Sequence, residues 1–195
     1  MVRCGHKVAY RRTLVSIGRP NPSARGILRA LGLVATRALT LLRHGDALAA
    51  APDAGDYGRV LSARGANDIQ RLLAQSLHLN LCADWIYASP AARTQSSAEP
   101  FKAVWHCPCV DIPELYLAPE HQLLDILRQT PPDIAHILMV GHNPGISYLA
   151  SLLNHQQSSI ELPTAGLVSF TTTAEWVDLR PQCANLTLQL QPGHY

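Results

Sequence analysis

Four short stretches carry residue types suited to a dianionic phosphoryl group: Arg43-His44-Gly45-Asp46, Ser89-Pro90-Ala91-Ala92-Arg93-Thr94, Pro113-Glu114-Leu115 and Gly141-His142-Asn143-Pro144-Gly145. In phosphoryl transfer the charge stays on the equatorial oxygens through the transition state. A guanidinium binds such oxygens in a bidentate manner and never loses its charge. A neutral imidazole is a competent nucleophile near neutral pH. Two arginines near His44 disfavour its protonated form and help keep it neutral. Gly45 leaves room for phosphate beside the backbone and for a sharp exit from a strand. A protonated Glu114 can donate to a leaving group. Singly, each residue has an ordinary reading: an Arg-His-Gly triplet by chance, His142 in a loop, Arg93 on the surface, Glu114 in solvent. Their shared position at strand ends is what joins them.

That position follows from the elements between them. The apolar run 39–42 stops at Arg43 and reads as a buried strand. Residues 62–78 place Ile69, Leu72, Leu73 and Leu77 on a helical period, with Ser62 as the N-cap. Strands are predicted at 84–88, 110–112, 136–140, 167–172 and 186–190. Helices are predicted at 91–104, 119–129 and 145–154. Strand alternating with helix at this spacing argues for a mostly parallel sheet with helices on both faces. Ligands bind such sheets beyond the carboxyl ends of the strands, which is where the four stretches fall.

With 195 residues the chain is long enough for one domain with a core, and 47% hydrophobic against 15% charged residues excludes a disordered chain. The net charge of +2 gives no argument for a nucleic-acid partner. It is unevenly spread. Residues 1–42 hold eight basic residues (Arg3, Lys7, Arg11, Arg12, Arg19, Arg25, Arg29, Arg37) and no acidic one, leaving 8 of the 16 basic residues against all 14 acidic ones, a net of −6. The segment 1–37 is expected to lie outside the core formed by 38–195. Four readings of it stay open: a disordered tail, an over-called translation start, a targeting peptide, and a functional basic arm. No apolar run reaches the roughly 18 residues of a membrane span, so no membrane association is expected. The five cysteines are odd in number and scattered, which fits a reducing cytoplasm. Cys107-Pro108-Cys109 has too short a spacing for a zinc knuckle and no second pair, so no metal is expected.

The ordered set Leu42-Arg43-His44-Gly45-Asp46-Ala47, Leu61-Ser62-Ala63-Arg64-Gly65, Ser89 to Ser97, Pro113-Glu114-Leu115, Gly141-His142-Asn143-Pro144 and Pro163-Thr164-Ala165-Gly166 resembles the histidine phosphatase (phosphoglycerate mutase-like) superfamily, and within it the small SixA phosphohistidine phosphatases. The resemblance covers roughly residue 39 to the C-terminus. It implies a three-layer α/β/α sandwich, small and without a large lid insertion, and chemistry that needs no cofactor. It implies His44 as the phosphorylated nucleophile, Arg43, Arg93 and His142 as the phosphate pocket with Gly45 and Asn143 beside them, and Glu114 as general acid. The implied substrate is a phosphohistidine on a protein, the implied protein a cytoplasmic monomer. The alternatives are a phosphatase or mutase of small phosphate monoesters, and a non-catalytic phosphoprotein-binding module. The stretch 94–141 is filled by two helices and two strands, so an open, shallow pocket is expected, suited to a phosphate displayed on a protein.

Overall fold

The computed structural model describes residues 35–50 and 55–193, so most of the basic leader lies outside the described residues. Six strands form one sheet: β1 (Arg37–Arg43), β2 (Trp85–Ala88), β3 (Cys109–Asp111), β4 (His136–Gly141), β5 (Leu167–Thr172) and β6 (Asn185–Leu190), in the order β3-β2-β4-β1-β5-β6. The first four are mutually parallel. β1 and β4 lie at the centre with Leu39, Leu41, Leu42 and residues 137–140 buried, the near-continuous apolar pattern of strands covered on both faces.

Among the described residues four helices cover those faces: α1 (Ala63–His78), α2 (Ala92–Trp105), α3 (Glu120–Arg128) and α4 (Gly145–Leu153). Leu41, Ile137 and Met139 pack with Leu123 and Leu127 of α3 and with Leu149 of α4. On the other face, Leu42, Leu138 and Val140 pack with Ile69 and Leu72 of α1 and Phe101 of α2. This is the expected three-layer sandwich. α1 starts where the sequence places its cap, with Ser62 Oγ accepting from Gly65 N at 3.0 Å. The start of α2 is tied by Thr94, whose hydroxyl reaches the carbonyls of Ser89 and Ala91.

The last two strands run antiparallel, β5 against β1 and β6 against β5. After α4 the chain does not enter a strand directly. Residues 154–166 carry it back to the carboxyl end of the sheet, so β5 can only run downward. That return loop brings Leu162 and the 163–166 turn to the edge where the four stretches meet. Among the described residues no helix is long and apolar enough to cross a membrane.

Candidate active site

His44 leaves the end of β1 beside the end of β4, and its N–H donates to Gly141 O at 3.2 Å. The next amide, Gly45 N, donates to Ser97 Oγ on α2 at 3.0 Å. A Cβ at Gly45 would meet Gly65 O at 2.8 Å, and one on Gly65 would run into the backbone of Asp46. Two glycines therefore let the strand exit rest on the first turn of α1. The space expected for phosphate at Gly45 is taken by that helix, and the glycine acts from behind by fixing where His44 starts.

The imidazole has one defined tautomer. Arg93 Nε can only donate, and it lies 3.3 Å from His44 Nε2, so Nε2 carries the lone pair. The proton then sits on Nδ1, which donates to Gly45 O at 2.7 Å. The ring is half-buried, and its pKa is pushed down to about 4. Burial is the largest cause; the bond to the Gly45 carbonyl opposes it, and the charges of Arg93 and Arg43 add to it. The two arginines do act as the sequence suggests, but desolvation comes first.

Arg43 donates Nη1 to Leu162 O at 2.9 Å, and Asn143 Nδ2 donates to the same carbonyl at 3.0 Å. Asn143 Oδ1 accepts from Ser147 Oγ at 2.7 Å. Nδ2 thus holds the return loop directly and Oδ1 holds it through Ser147 of α4, whose Oγ accepts from Leu162 N at 2.9 Å, so Asn143 serves the pocket by anchoring Leu162 beside Arg43. Burial lowers the Arg43 pKa against the opposing charge of Glu161. His142 Nε2 pairs with Ser89 Oγ at 2.9 Å, and the two histidine rings stand 5.1 Å apart. His142 is pushed down to about 3, first by burial and then by His44 and Arg93. Of the five buried side-chain nitrogens without a partner among the described residues, two belong to this group: Arg43 Nε and His142 Nδ1.

Arg93 is the most enclosed cation here, its side chain 3% exposed. Nη1 donates to Asp56 O at 2.6 Å and Nη2 to Asp56 Oδ2 at 2.9 Å. Tyr116 Oη donates to the same Oδ2 at 2.6 Å, and its ring lies edge-on to His142 at 5.4 Å. His44, Arg93, Asp56, Tyr116 and His142 thus form a closed ring of side chains at the carboxyl ends of β1, β2 and β4.

The sequence placed His44, Arg43, Arg93 and His142 together, and the structure does so. Glu114 sits on the one-turn helix Pro113–Leu115 and is exposed; the residue after that turn, Tyr116, is the one in the ring. The sequence motifs alone do not assign these roles to Asp56, Tyr116, Ser89 or Ser97. Cys109 opens β3 and Cys107 lies in the core, both with thiols pushed up to about 11 by burial first of all. No group of three His, Cys, Asp or Glu among the described residues could hold a metal ion.

The fold is an α/β sandwich similar to that of solved histidine phosphatases. Its likeness to the SixA group is carried by solved structures. One, described as the phosphohistidine phosphatase SixA of Nakamurella multipartitia, is 26% identical with a TM-score of 0.71, covering 81% of this chain and 97% of that one. A second, described as SixA of Agrobacterium tumefaciens, is 23% identical with a TM-score of 0.69, covering 80% of this chain and 98% of that one. A phosphoserine phosphatase of Entamoeba histolytica shares the fold at 16% identity and a TM-score of 0.56, covering 81% of this chain and 98% of that one. The sequence matches no protein-family model and no curated protein.

Proposed function

We propose that the protein is a phosphatase that hydrolyses phosphohistidine on a protein through a covalent phosphohistidine at His44. The observation that carries this is the state of His44. It is a neutral imidazole with its lone pair on Nε2 beside Arg93, and two buried nitrogens of the same group, Arg43 Nε and His142 Nδ1, have no hydrogen-bond partner among the described residues. A bound phosphoryl group takes the place between His44 and Arg93, and Arg93 Nε–H passes from the ring nitrogen to a phosphoryl oxygen. Arg43 Nε–H binds a second oxygen. With the Ser89 hydroxyl donating to His142 Nε2, the proton on Nδ1 is available to a third. Nε2 then attacks phosphorus in line, and water later cleaves the new N–P bond. Where the leaving group is an alkoxide, Glu114 is the residue we assign to protonate it.

The SixA likeness supports a protein phosphohistidine as substrate, and so does the openness of the site. His44 is half-exposed at the sheet edge. The test is trapping. Brief incubation with a phosphodonor, followed by an alkaline quench, should leave acid-labile phosphate on His44. Repeated failure to trap it, with retained binding of phosphoproteins, would favour the non-catalytic binding module instead.

The charge state makes a second expectation. NMR titration of the imidazole resonances should show His44 protonating near pH 4 and His142 near pH 3, well below the ordinary 6.5. Both folded values lie below the unfolded one, so the unfolded chain binds more protons between them. Stability is therefore fully present above about pH 6.5 and falls as pH drops toward 4 and then 3. Midpoints near 6.5 for both rings would show that neither is held neutral by the fold.

A further inference from the structure

A carboxylate is an odd neighbour for a phosphate clamp, yet the ring around His44 closes on one. Asp56 Oδ2 accepts from Arg93 Nη2 at 2.9 Å and from Tyr116 Oη at 2.6 Å, and Oδ1 accepts from Arg59 Nη1 at 3.2 Å. The Tyr116 hydrogen bond, ahead of those from Arg59 and Arg93, holds the carboxyl far below the usual carboxylate range. Asp56 is therefore anionic at every working pH and unsuited to donate a proton. Its side chain is still 46% exposed, so it faces incoming molecules. Beside it stand two aromatic rings: Tyr116, and Tyr57 at 4.8 Å from it and exposed. Aromatic faces with a carboxylate suit a planar cation.

In-line attack by His44 sends the leaving group away from His44, toward the part of the ring completed by Asp56 and Tyr116. We infer that Asp56, fixed by Tyr116, sets leaving-group specificity, favouring phosphoryl groups carried on a protonated nitrogen heterocycle over phosphate esters. This rests on His44 being the phosphoryl acceptor. The His44 Nε2 lone pair forms the new N–P bond. The P–N bond to the substrate imidazole breaks, and its electron pair returns to that ring. A ring already protonated on its other nitrogen leaves as neutral imidazole. A carboxylate beside the ring raises its pKa, so more of the substrate is in this competent form at neutral pH. In an ester the P–O electron pair goes to oxygen, which Glu114 would protonate, and the Asp56 carboxylate offers that oxygen no comparable help.

Asp56→Asn isolates the charge. Both Arg93 Nη2 and Tyr116 Oη bind one oxygen, Oδ2, which the Asn carbonyl can replace, and Arg93 Nη1 uses the backbone carbonyl. The variant and the unaltered protein are compared on free phosphohistidine and on p-nitrophenyl phosphate. One preparation serves both substrates, so the ratio of kcat/KM is independent of the folded fraction. The loss on phosphohistidine should exceed the loss on the ester by about tenfold, the effect of one pKa unit. The alkaline limb on phosphohistidine should also move to lower pH. Equal losses on both substrates, or an unmoved limb, would show that Asp56 only orients Arg93 and overturn the inference. If the unaltered protein turns over the ester but not phosphohistidine, the proposed substrate falls and the inference with it. Failure to phosphorylate His44 from any donor removes the underlying reading itself.

Discussion

His44→Ala is expected to lower turnover by about 10⁴-fold or more, the range seen when a nucleophile that acts as a unit with its partners is removed. No other side chain of the ring can replace it. His142 uses Nε2 on Ser89, which leaves its protonated Nδ1 as a donor without a lone pair for phosphorus. Tyr116 holds its hydroxyl proton for Asp56, which raises its pKa first of all. The variant should still fold. Its ring is half-exposed, and its backbone bonds to Gly141 and Ala165 do not involve the side chain. Thermal melts of the two proteins should therefore overlay within a few degrees while phosphate release and labelling disappear together. Labelling that persists in the variant would place the nucleophile elsewhere.

The sheet and helices were legible because each has a local pattern. The 3.6-residue period of α1 and its Ser62 cap, and the apolar runs of β1 and β4, are set by neighbours along the chain. The direction of β5 was not legible. It depends on residues 154–166 carrying the chain back across the sheet edge, and that path is fixed by long-range bonds such as Leu162 O to Arg43 and Asn143. The same distinction divides the site. His44, Arg93 and His142 stand in short motifs next to strand ends. Asp56 stands in a loop of mixed small and polar residues with no period, and only its contact with Arg93, 37 residues away, gives it meaning. Tyr116 stands outside every motif of the resemblance, two residues after Glu114, and only its bond to Asp56 marks it. A guanidinium as deep as Arg93 needs an acceptor, and an acidic residue between the first two motifs supplies it in Asp56.

Arg93→Lys tests whether the clamp works by charge or by shape, and shape should decide. Arg93 places three donors in one plane: Nε toward His44 Nε2 at 3.3 Å, Nη1 toward Asp56 O at 2.6 Å, and Nη2 toward Asp56 Oδ2 at 2.9 Å. Because the fork is rigid, holding two of its corners on Asp56 aims the third at His44. A lysine has one nitrogen on a flexible stem. If it reaches Asp56 it leaves the nucleophile, and if it reaches the phosphoryl oxygen it leaves Asp56 unanchored. Burial also lowers the pKa of an ammonium there, so the substituted charge is weaker than the one it replaces. Loss of a single fixed donor to transition-state charge costs about 10²–10³ in kcat, and kcat/KM for Arg93→Lys should fall by about that much on phosphohistidine. The fall should appear in kcat as well as KM, because the aim of Nε matters most as charge shifts between the departing and attacking nitrogens. A variant within about threefold of the unaltered protein would mean that a point charge near His44 suffices. Asp56 would then have no role in aiming the guanidinium, leaving its charge as the property to explain.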